Sequence, residues 1–258
     1  MVALRRYGSL LHDSDGRKFF RLLLKCCYDI DQPRELSRFR SFVLGQFAHY
    51  LLDRECHPYV YAQSGFDKNG ELTGKFHYEH SAFESQIDVS IAKKAHMEYF
   101  LEHPEEVLSQ DSFVLEAICR NFHAALLRYF PERKIPKNIY GSSVVWMRRA
   151  IRFVNRNPDL KRTLFHFSSL GGLALPKTVE KDVLNERHRS WQDPITGEER
   201  TESFLDLFNE AYVLLRECYH LLLERGYSYE VYLNYFDGRN YDGQKKGEIR
   251  KFHGPSVL

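Results

Sequence analysis

The 258-residue chain has few cysteines, and its five are not spaced for a shared task. Cys26 and Cys27 are adjacent while Cys56, Cys119 and Cys218 lie far apart, which excludes a C-x-x-C redox pair and zinc-finger spacing. Their odd count and scatter point to reduced thiols in a cytosol-like compartment. No apolar run reaches the length of a membrane span, and the opening "MVALRRYGSLLHDSDGRK" lacks the unbroken apolar core of a signal peptide. These absences lead us to expect an unprocessed, soluble protein with a cytoplasmic or intracellular location; secretion by a signal-independent route would leave no trace in the sequence. Phosphate-binding glycine motifs are missing too. Gly171-Gly172 has neither the glycine spacing nor the Lys-Ser/Thr ending of a phosphate loop, and no G-x-G-x-x-G follows a strand. No serine elbow, kinase-like set or internal repeat is present.

Rings are abundant. With 19 Phe and 16 Tyr in a chain that is 43% hydrophobic, much of the packing area comes from aromatic side chains. Apolar residues recur at helical spacing in "GRKFFRLLLKCCYD" and at Phe39, Val43, Phe47 and Leu51 of the next segment, with Asp31-Gln32-Pro33 as the turn between them. The segments "SFVLEAICRNFHAALLRYF" and "ESFLDLFNEAYVLLRECYHLLLERGY" read as helices in the same way. By contrast, Tyr59, Tyr61 and Gln63 alternate with Val60, Ala62 and Ser64, an Asn-Gly pair follows, and a second alternating run begins at Leu72. This pattern predicts a β-hairpin with its turn around Asp67 to Gly70, with "FESQIDVSI" as a candidate third strand. We therefore expect a mainly α protein with a multi-helix, bundle-like core and a small antiparallel hairpin or three-stranded sheet. Residues 1–237 form a single helical domain in this reading, with the hairpin inserted at about 58–90, and residues 238–258 form a polar, loosely packed tail.

The net charge of +2 conceals zoning. Between Pro131 and Ser190 there are 13 Lys or Arg against five Asp or Glu. The flanking sections are acidic, with six basic against 11 acidic residues from Tyr61 to Phe130 and three against nine from Trp191 to Glu230. On a helix advancing about 100° per residue, Arg148, Arg149, Arg152 and Arg156 fall on one face, opposite an apolar face of Phe153, Trp146, Ala150, Val154, Met147 and Ile151. Lys161 and Arg162 extend the stripe. Guanidinium groups hold phosphate oxygens in two-pronged fashion, so these six residues are the candidate nucleic-acid contacts. The same face also suits an acidic protein partner or the chain's own acidic helices.

A second cluster lies in "GKFHYEHSAFE". On a strand, His77 and Glu79 share a face and could supply two ligands to one divalent metal, with His80 on the opposite face and Asp67, Glu84 and Asp88 as supplements. Neither the H-E-x-x-H spacing nor an H-x-H pair is present. The leading expectation is a nucleic-acid-associated protein that binds the phosphate backbone through its basic helix. One alternative is a divalent-metal-dependent phosphodiester hydrolase using His77 and Glu79; another is a protein-interaction module or host-directed factor without catalysis.

Overall fold

Proline at the first helical position costs no hydrogen bond, and Pro33 opens the longest helix of the chain there. A computed structural model describes residues 2–64 and 73–246. In chain order its helices are α1 (Val2–His12), α2 (Arg17–Tyr28), α3 (Pro33–Gln63), α4 (Phe76–Lys94) and α5 (Tyr99–Glu102), the last followed by a 3₁₀ turn at Pro104–Val107. Next come α6 (Ser112–Tyr129), α7 (Ile139–Asn155), α8 (Pro158–Leu164) and α9 (Ser169–Gly172). The short strands β1 (Trp191–Gln192) and β2 (Glu199–Arg200) precede α10 (Phe204–Arg225) and α11 (Tyr229–Leu233). The chain is thus mainly α, a multi-helix bundle with one small antiparallel hairpin.

The described residues divide into two units. The first comprises residues 2–55, 109–146 and 209–246, and the second residues 56–64, 73–108 and 147–208. The boundary inside α3 falls between Glu55 and Cys56, close to Pro58. Pro58 has no N–H to offer the carbonyl of Arg54, so the helical ladder loses a rung there.

The first unit is built on rings. Phe39, Val43, Phe47 and Leu51 of α3 are fully buried, as their spacing predicts, and Phe20 of α2 meets Phe47 edge-on at 5.7 Å. Phe19 of α2 makes the same kind of contact with Phe122 of α6 at 5.8 Å. Asp111 caps α6, its carboxylate accepting from the N–H groups of Phe113 and Val114. Burial pushes the thiols of Cys27 and Cys218 up to about 12, which makes both inert at neutral pH.

Residues 238–246 correct the expectation of a loosely packed tail. Tyr241 is buried and stacks on His12 at 4.3 Å, and the Tyr50 hydroxyl donates to the Arg239 carbonyl. Arg239 also bridges Glu55 and Asp237 at 2.9 and 2.7 Å. One ring and one guanidinium anchor a polar segment that composition alone reads as unattached. Residues 247–258 lie outside the described residues.

The hairpin expected at about 58–90 is also corrected. Residues 58–63 continue α3, and residues 76–90 belong to α4; the turn assigned to Asp67–Gly70 lies outside the described residues. Tyr59, Val60, Tyr61 and Ala62 are all buried, so this stretch has no polar face to reveal a helical period, and its alternation of ring and aliphatic residues only mimics a strand. The hairpin that does form pairs Trp191 with Arg200 and Gln192 with Glu199. Its turn is held by the Asp193 carboxylate, which accepts from the N–H groups of Ile195 and Thr196, and by Gly197 at φ 77°. Trp191 packs edge-on against Tyr59 at 5.4 Å and carries Arg200 over its ring.

In the second unit α4 lies against α9. The Ser85 hydroxyl donates to the Gly172 carbonyl at 2.6 Å, and the Ser81 hydroxyl, 2.8 Å from the His77 carbonyl within α4, also lies 3.3 Å from the Ser169 carbonyl. A Cβ on Gly172 would sit 1.9 Å from Ser81 Oγ and 2.8 Å from the Ala82 backbone nitrogen, so this approach requires glycine. Alanine is the better helix former by about 1 kcal/mol, yet Gly172→Ala is expected to destabilise the protein by about 1–3 kcal/mol through overpacking. Urea denaturation checks this; an unchanged midpoint would contradict the close approach.

Candidate metal centre

Placing Ser81 and Ser85 against α9 fixes the rotational setting of α4. The adjoining edge, about 100° around the helix, carries His80 and Glu84 one turn apart. That edge faces His57, on the second-unit part of α3. The Glu84 Oε1 atom lies 3.2 Å from His80 Nε2 and 3.5 Å from His57 Nε2. Ligand atoms from all three residues fall within 4.8 Å of one another.

Rings hold the imidazoles in place. His80 stacks on Tyr61 at 4.9 Å with 27° between the planes, and Phe76 lies 5.8 Å from each of them. His57 meets both His80 and Tyr61 at 5.3 Å and is itself buried. These contacts fix the direction in which each ring nitrogen points, a requirement for a pre-organised ligand set.

Two chemistries bear on these distances. A hydrogen bond between imidazole and carboxylate has a length of about 2.7–3.2 Å. Tetrahedral coordination with metal–ligand distances of about 2.0–2.1 Å places neighbouring ligand atoms ~3.3 Å apart. The two Glu84 separations suit long hydrogen bonds and coordination edges alike. His12, His49 and Asp53 form another group in the first unit, and here His49 Nε2 is 2.8 Å from Asp53 Oδ2, a hydrogen-bond length. The His57, His80 and Glu84 group is therefore the better ligand set.

Protein crowds the Glu84 carboxyl and so works to raise its pKa, although its side chain keeps 41% of its surface accessible. Hydrogen bonds from His57 and His80, and then their charges, outweigh that effect and hold the carboxyl well below the usual carboxylate range. His80 Nδ1 is buried without a hydrogen-bond partner among the described residues. Coordination through Nε2 moves the ring proton to Nδ1, where no described acceptor awaits it. Loss of such an outer partner lowers metal affinity by about 10- to 100-fold, so the site is weaker than a closed structural zinc site.

Of the residues assigned from sequence, His77 and Glu79 are not brought together. Two positions apart on a helix, they point about 200° away from each other. His77 is exposed, and Glu79 accepts a hydrogen bond from Thr73 at 2.5 Å. The strand reading had placed His80 on the wrong face for the same reason. Asp67 and Glu71 lie outside the described residues, and Asp88 is exposed. His57 carried no signal of its own, being one buried histidine among 12 in the chain.

The basic stripe is partly consumed by the fold. Arg148 is buried, and its guanidinium donates to the carbonyls of Glu105 and Leu108, which corrects its placement on a solvent face. Arg152 pairs with Glu105 at 2.9 Å, and that hydrogen bond holds the Glu105 carboxyl below its ordinary range. Arg162 donates to the Ala174 carbonyl at 2.9 Å, and the Lys161 ammonium lies 3.7 Å over the Phe153 ring. Arg149 and Arg156 are exposed, have no partner among the described residues, and line a cleft of about 470 Å³ with Arg152, Phe153, Glu102 and Glu105. No helix among the described residues is long and apolar enough to cross a membrane.

No family model, curated protein or solved structure matches the chain.

Because the Glu84 pKa is depressed, its contribution to stability is full above the unfolded-state value of 4.5 and is lost as the pH falls below it. The fall in Tm between pH 6 and pH 3 (about 1.5 units either side of 4.5) should be larger for the wild type than for Glu84→Gln. Thermal unfolding followed by circular dichroism measures both, and equal falls would contradict the assigned environment.

Proposed function

We propose that the protein is a divalent-metal-dependent hydrolase of phosphodiesters, with the ion held by His57, His80 and Glu84. The observation that carries this reading is the convergence of His57 Nε2 and His80 Nε2 on one Glu84 oxygen, at 3.5 and 3.2 Å, with ligand atoms of all three residues within 4.8 Å of one another. Two imidazoles and one carboxylate suit zinc and its transition-metal neighbours, and they leave a coordination position for water. A divalent ion held by His57, His80 and Glu84 would supply an activated water at neutral pH. The chain's own contribution is to orient the two rings through Tyr61 and Phe76 and to keep Glu84 ionised.

The substrate class rests on a separate feature of the same unit. Arg149 and Arg156 remain available for phosphate oxygens, so the nucleic-acid reading survives as the substrate-binding half of the proposal, carried by two of the six residues assigned from sequence. Binding without hydrolysis, to nucleic acid or to an acidic protein, is the competing outcome.

Protein purified, stripped and reloaded with zinc or manganese should retain about one ion per chain by elemental analysis, as three protein ligands require. His57→Ala, His80→Ala and Glu84→Gln should each lose it together with hydrolysis of bis(p-nitrophenyl) phosphate, whereas His77→Ala should keep both. Retention of metal by the His80 variant, or its loss in the His77 variant, would overturn the assignment.

A further inference from the structure

The solvent side of α7 carries Arg149, Phe153 and Arg156, and the following segment continues that surface. Lys161 lies 3.7 Å above the Phe153 ring and 6.0 Å from the Phe165 ring. Phe165 in turn lies 6.0 Å from Phe153 and 6.4 Å from Phe167. Phe153 and Phe167 remain 46% and 65% exposed. Three phenyl rings in sequence, with the Lys161 ammonium over the first and, beside them, two guanidiniums that have no partner among the described residues, form one exposed face.

A partner for this face must offer flat apolar groups and negative charges in alternation. Single-stranded nucleic acid does so, since its bases are free to stack on rings while its phosphates meet the cations. In a duplex the base faces are already stacked on one another. An anionic bilayer offers negative charge too, and exposed Leu160 and Leu164 would suit its acyl chains. However, the Lys161 ammonium sits over the Phe153 ring, so burying that ring in hydrocarbon would carry the charge with it; a nucleic-acid strand instead meets that ammonium with a phosphate and stacks on the more exposed Phe167 ring. We infer that residues Arg149, Phe153, Arg156, Lys161, Phe165 and Phe167 form a binding surface for single-stranded nucleic acid, which is then the phosphodiester substrate. The inference rests on the hydrolase reading for the word substrate and stands apart from it for binding.

Fluorescence anisotropy with labelled oligo(dT) and oligo(U), in the presence of EDTA, tests it. Both strands should bind without metal, their ratio reporting any preference for DNA or RNA, and a duplex of equal length should bind more weakly. Phe167→Leu keeps apolar volume but loses the most exposed stacking plane, and Phe153→Leu removes the ring that holds Lys161; each should weaken binding about tenfold or more with unchanged circular dichroism. Arg149→Gln and Arg156→Gln should each flatten the salt dependence by about one phosphate contact. Leucine variants that bind like wild type, absence of oligonucleotide binding, or phosphatidylserine vesicles bound in preference to oligonucleotides would overturn it. Metal-dependent hydrolysis of bis(p-nitrophenyl) phosphate without oligonucleotide binding would discard this surface and leave the hydrolase. Ring-dependent oligonucleotide binding without hydrolysis would do the reverse.

Discussion

The contact between Gly172 and the Ser81 edge of α4 is the constraint from which the candidate centre follows. With no side chain on Gly172, the two backbones approach closely enough for both serine hydroxyls to reach α9 carbonyls. A helix held along one edge has no rotational freedom left, so the adjoining edge is fixed as well. His80 and Glu84 occupy it, and His57 meets them from α3. The chemistry of the site is thus a consequence of a packing detail more than of any local sequence motif.

Charge is used in two ways in the second unit. Arg148 and Arg162 serve the fold by donating to carbonyls, Arg148 as a buried guanidinium that would be costly unsatisfied, while Arg152 pairs with Glu105 at the surface. Arg149 and Arg156 stay at the surface, where an ion pair would add little stability and an external phosphate can compete for them. The acidic and basic zones of the sequence therefore neither cancel one another fully nor build one continuous basic stripe. What remains is a smaller positive surface next to exposed phenylalanine rings.

Much of the helical framework is legible from spacing alone. Phe39, Val43, Phe47 and Leu51 mark α3, the segment "SFVLEAICRNFHAALLRYF" marks α6, and the hairpin forms instead at Trp191–Gln192 and Glu199–Arg200. Its strands are two residues each, too short for alternation to register. Residues 58–63 failed as a helix because they are buried on every side, and that one misreading propagated into the site. Taken as a strand, the following segment pairs His77 with Glu79; taken as a helix, it pairs His80 with Glu84. The cluster of histidines and carboxylates was visible, but its correct members depend on the period of the backbone and on His57, which only tertiary structure brings near.

The account is most directly tested by a crystal of the protein soaked in zinc and measured at the zinc absorption edge. An anomalous peak about 2.0–2.2 Å from a nitrogen of His57, a nitrogen of His80 and an oxygen of Glu84 is the expected result. No peak there, or a peak on His12, His49 and Asp53 instead, would contradict the assignment of this centre.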